Sequence, residues 1–149
     1  MIDEETFKVI FPKGESLTIE FKSDRKQISD SEIYENIVAL ANTEGGVMFI
    51  GVEDDGVVTG AKPRHGKSTD GLKLQSAIFN NTVPHINTQI SCFLFEDKDI
   101  VAIAVTTYPE ACATSTGKSL RRVIGPDGKP QVLPFSLTNI VLDGWIWDY

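Results

Sequence analysis

Cysteine is scarce. Cys92 and Cys112 lie twenty residues apart with no further Cys or His at ligand spacing, so neither a disulfide framework nor a zinc site is expected, and both are read as buried thiols. Long apolar runs are missing as well. The longest, Val47 to Ile50 and Ile100 to Val105, are strand-sized and far short of the ~20 residues that cross a bilayer. The start, Met1-Ile2-Asp3-Glu4-Glu5, is acidic where a secretory leader is basic and then apolar. A cytoplasmic protein without membrane contact is therefore expected. An excess of positive charge is also absent: 14 Lys and Arg against 21 Asp and Glu give a net charge of -7. That balance excludes a general polyanion-binding surface, so any contact with nucleic acid must use a local patch.

What is present suits one globular domain over residues 1–149, with 41% hydrophobic and 23% charged residues and no internal repeat. Leu17, Ile19 and Phe21 alternate with Thr18, Glu20 and Lys22, the period of a strand in which Glu20 and Lys22 share a face. Ser29-Asp30-Ser31-Glu32 forms a capping box ahead of Ile33, Ile37, Leu40 and Ala41. It predicts a helix from Ser31 to Asn42, stopped by Gly45-Gly46. Val47 to Val52 reads as a central strand buried on both faces, and Asp54-Asp55-Gly56 turns it into a return strand, Val57 to Gly60.

Ala61 to Thr69 is basic and aperiodic, a loop. Asp70 caps a second helix to Asn81, with either Leu72, Ile78 and Phe79 or Leu74 and Ala77 as its buried stripe. Ile90 to Phe95 and Ile100 to Val105 predict an antiparallel hairpin. Ser119 to Ile124 is a short strand, Gly125 to Pro134 a loop, and Ser136 the cap of a last helix that runs into an aromatic end, Trp145 to Tyr149. The expected fold is α+β: two layers, with a mixed, largely antiparallel sheet carrying two or three helices.

The basic residues cluster at Lys22 to Lys26, Lys62 to Lys73 and Lys118 to Arg122. Gly66-Lys67-Ser68 and Gly117-Lys118-Ser119 imitate the end of a phosphate-binding loop. The glycine that motif requires five positions before its second glycine is Ala61 in the first case and Cys112 in the second, so no ATPase of that type is expected. His65 and His85 have no partner at a recognised nucleophile spacing.

Three segments occur in a telling order: Gly14-Glu15-Ser16 with Glu20-Phe21-Lys22, then Ala39 to Gly46, then Ile50 to Gly56 with Gly60. Together they resemble the Schlafen-type AlbA-like family, which includes many domains at the front of bacterial transcriptional regulators and the core of the vertebrate Schlafen proteins. The resemblance is strongest from Lys13 to Gly60. It implies a domain that contacts DNA or RNA, in a class often found paired, so a homodimer is expected. In nuclease-active relatives three acids form the site, and the matching positions are Glu15, Glu20 and Asp54, with Asp55 as the alternative third and Lys22 matching a lysine of that region.

Such a trio has the residue types for metal-dependent phosphodiester cleavage, in which carboxylates hold Mg²⁺ or Mn²⁺ against the phosphate and a lysine offsets developing charge. Five residues of uninterrupted strand would put Glu15 and Glu20 on opposite faces, so Glu15 must sit in the turn before the strand. The alternative needs no chemistry: Glu20 and Lys22 make a surface pair, and Asp54 and Asp55 a turn. The leading expectation is nucleic-acid binding through phosphates by Lys22, Arg25, Lys26, Arg64, Lys67, Arg121 and Arg122, gathered in one stripe. The rivals are a Mg²⁺- or Mn²⁺-dependent nuclease and a protein-interaction or oligomerisation module.

Overall fold

The structure is a computed structural model that describes residues 1–135; the helix expected from Ser136 and the aromatic end lie outside them. In chain order the elements are α1 (Glu4–Ile10), a 3-10 turn (Phe11–Lys13), β1 (Ile19–Lys22), α2 (Asp30–Ala41), β2 (Gly46–Ile50), α3 (Gly71–Asn80), β3 (Thr82–Val83), β4 (Gln89–Phe95), β5 (Lys98–Val105), β6 (Ala113–Thr114), β7 (Leu120–Ile124) and β8 (Pro130–Pro134). The fold is α+β. Its main sheet has the order β1-β2-β5-β4, with β1 parallel to β2 and the other two pairs antiparallel.

Alternation along β2 divides the core. Met48 and Ile50 pack with Ile33, Ile37 and Leu40 of α2 and Leu74 and Ile78 of α3. Val47 and Phe49 join Phe21, Phe95, Ile100 and Phe7 on the other face. The sequence reading placed no helix at the N-terminus, yet α1 covers that face: the Asp3 side chain accepts from the Thr6 N–H, and Phe7 is fully buried among the rings of Phe11, Phe49, Phe93 and Phe95.

Both expected helices form with the expected caps, Ser29 and Asn42 on α2 and Asp70 on α3, and Asn81 ends α3. The buried stripe of α3 is Leu74 with Ile78, and Leu72 is exposed. Two other expectations are corrected. The return strand after β2 reduces to one bridge, Val52 to Val58, because Gly51 (φ 105) leaves the ladder and its carbonyl takes the N–H groups of Thr59 and Gly60. The supposed loop at Gly125 to Pro134 contains β8, paired with β7 as a hairpin; its prolines stand at its two ends, where an edge strand tolerates a missing N–H. Cys112 is buried, but Cys92 on edge strand β4 is exposed.

Gly45 and Gly46 bring three segments together. A Cβ on Gly46 (φ 142) would meet the Thr18 carbonyl oxygen at 2.0 Å, and one on Gly45 (φ 74) would meet Thr107 N and Val105 O at 2.7 Å. The space beside the pair is filled by the chain's own backbone.

Candidate functional site

β1 is an edge strand, and side chains meet its outward backbone groups. Glu15 Oε1 accepts the Phe21 N–H at 3.0 Å. Arg122 Nε donates to the Leu17 carbonyl at 2.9 Å, and Nη2 donates to the carbonyls of Ser16 at 2.6 Å and Ile19 at 3.1 Å. Its Nη1 donates to Glu20 Oε2 at 2.5 Å. Edges treated this way cannot recruit another strand. Gly14 (φ 78) allows the sharp entry that leaves Glu15 in the turn before β1. Arg122 arrives on β7, where its N–H donates to Thr43 Oγ1 at the end of α2.

The Glu15 carboxylate lies within electrostatic range of both Glu20 and Asp54. Burial, then the charge of Glu20, push the Glu15 carboxyl up to about 7; Asp54 adds to the rise and the Phe21 N–H opposes it. Yet among the described residues no three His, Cys, Asp or Glu converge to hold a metal ion. Glu20 already faces two cations, Arg122 at Oε2 and Lys22 Nζ 3.5 Å from Oε1, and Lys22 also lies 3.6 Å from Glu32. Mg²⁺ requires near-octahedral oxygens at about 2.0–2.1 Å. This arrangement does not fit one. Next to Asp54, the Thr59 hydroxyl, 2.6 Å from Glu53 Oε2, together with Ser23 and Arg25 holds the Glu53 carboxyl below its usual range.

The expected stripe of seven cations is largely spent on partners. Arg122 has no exposed side-chain surface, so it is not placed for phosphate. Arg64, 10% exposed, donates to the Ile28 carbonyl at 2.9 Å and pairs with Asp30. Arg25 lies 3.8 Å from Glu53, and the Arg121 guanidinium stands over the Phe135 ring at 5.8 Å. Lys26 and Lys67 are exposed and hold no ion pair among the described residues.

The first two basic clusters are nevertheless joined. Asp24, 1% exposed, accepts the Ile28 N–H at 2.7 Å on one oxygen and the Lys62 N–H at 2.5 Å on the other. Gln27 Nε2 donates to the Pro63 carbonyl at 3.3 Å, and Arg64 closes the same seam. The loop bearing Arg25 and Lys26 is thus stitched to the loop bearing Lys62 and Lys67. The third cluster is anchored elsewhere, through Lys118 to Glu35 on α2 and Arg122 to the β1 edge. Sequence reasoning missed Asp24, whose only signal was an acid inside a basic run.

The family model described as "Schlafen, AlbA_2" matches residues 15–127, well over half of the chain. The chain belongs to the Schlafen AlbA_2 family. The matched span of this Schlafen AlbA_2 chain takes in Glu15, Glu20, Lys22, Asp54, Asp24 and Arg122 and leaves α1 and β8 outside. Among solved structures, the DIP2311 protein from Corynebacterium diphtheriae shares the fold with a TM-score of 0.62 at 18% identity, over 91% of this chain and 23% of that one. The Schlafen AlbA_2 chain therefore spans about a quarter of that protein's length. The N-terminal domain of a RecG-related protein from Nitrosomonas europaea aligns with a TM-score of 0.44 at 17% identity, over 69% of each chain. No curated protein matches.

Proposed function

We propose that this domain binds nucleic acid, DNA or RNA, by its phosphates, as a module of a transcriptional regulator. The observation that carries the reading is the seam at Asp24, which holds the loop of Arg25 and Lys26 beside the loop of Lys62 and Lys67; Lys26 and Lys67 are exposed and have no carboxylate partner among the described residues. Membership of the Schlafen AlbA_2 family supports it. The surface is small, and the net charge of -7 works against it, so binding is weak, local and strongly salt-sensitive.

Fluorescence anisotropy with short labelled DNA and RNA tests this. Binding that weakens with salt and falls in Lys26→Ala/Lys67→Ala, while Lys129→Ala in the turn of the β7–β8 hairpin leaves it intact, supports the reading; no salt-sensitive binding sinks it. One observation favours a second reading, a protein-interaction or homodimer surface: Ile124, Val132 and Leu133 are 49%, 38% and 39% exposed on the β7–β8 hairpin. Sedimentation of wild type against Val132→Ser/Leu133→Ser separates it, since a concentration-dependent dimer lost in the variant is its signature.

A further inference from the structure

Glu20 has a resident cation. We infer that the Arg122 guanidinium takes the place a divalent ion would occupy at the β1 edge, so that Glu20, with Glu15 bonded to the same strand, belongs to a metal-excluding structural site. The oxygens that Arg122 contacts are the kind a hard cation seeks, one carboxylate and three backbone carbonyls, at 2.5, 2.6, 2.9 and 3.1 Å. A guanidinium keeps its charge at every physiological pH, so it cannot step aside by losing a proton. Nor can it swing out readily: the side chain is fully buried, its backbone N–H is fixed by Thr43 Oγ1 at 2.8 Å, and leaving Glu20 would strand a charge in the interior. The other oxygen of Glu20 faces Lys22 at 3.5 Å. A divalent ion would therefore enter against two positive charges already in place.

The inference is independent of nucleic-acid binding, because no nucleic acid enters its test. Mn²⁺ is titrated into the full chain to low millimolar, and paramagnetic broadening is read at the backbone amides of Phe21, Lys22 and Arg122. Wild type is expected to show no saturable broadening there. Arg122→Met, if folded, gains it and loses it again in Arg122→Met/Glu20→Gln. Saturable broadening of these amides in wild type overturns the inference, as does a folded Arg122→Met that still ignores Mn²⁺. If Arg122→Met does not fold, the wild-type titration decides alone.

Discussion

Arg122 and Glu20 are buried together, with side chains 0% and 9% exposed, and each is the other's compensation for leaving water. Breaking such a pair by removing one partner costs about 3–5 kcal/mol, because the survivor keeps its desolvation penalty. Arg122→Met is expected to lose stability of that order in urea unfolding, and the double variant with Glu20→Gln to lose less than the two single losses added. Glu15 gives a pH signature. Its carboxyl is raised to about 7 from the ordinary 4.5, so between these values the folded state holds more protons than the unfolded chain. Stability is then complete below about pH 4.5 and declines as pH rises through about 7. Glu15→Gln, which can still accept from the Phe21 N–H, is expected to flatten that part of a plot of Tm against pH; an unchanged slope would falsify the assignment.

At the scale of elements, Asn42 does more than cap α2. Its Nδ2 donates to the carbonyls of Cys112 at 2.9 Å and Leu120 at 2.8 Å, and its Oδ1 accepts the Cys112 N–H at 2.7 Å. The sequence reading needed only the cap, since a bond across seventy or more residues leaves no local trace. Asn42→Ala is expected to cost about 1–3 kcal/mol in thermal or urea unfolding, as buried backbone groups lose their partner. The two long helices were legible because the capping box of α2, the Asp70 cap of α3 and 3.6-residue periodicity are local. The place of Glu15 in the turn ahead of β1 was legible through Gly14 and the strand period. Arg122's inward turn was not, because among the described residues β7 pairs only with β8 and its seat on α2 is a tertiary choice. Helix α1 left a readable trace, Asp3 three residues before Thr6 and a Phe7–Ile10–Phe11 stripe, which lay in a stretch read only for a leader.

Over the whole molecule, an acidic chain with a small basic surface gains most of its affinity for a polyanion by releasing counterions. If about three phosphates are engaged, affinity falls on the order of 40-fold between 50 and 200 mM salt. Asp24→Asn is expected to lower affinity with the cations themselves intact, because the seam that registers the two loops loses a charged acceptor. Anisotropy read alongside the unfolding midpoint separates that loss from simple instability.

The clasp on β1 joins positions 102 residues apart, so most of the domain must be synthesised before that border closes. A truncation ending ahead of Leu120 is expected to leave the strand open to other chains and to appear first as light scattering and self-association, before any loss of helix.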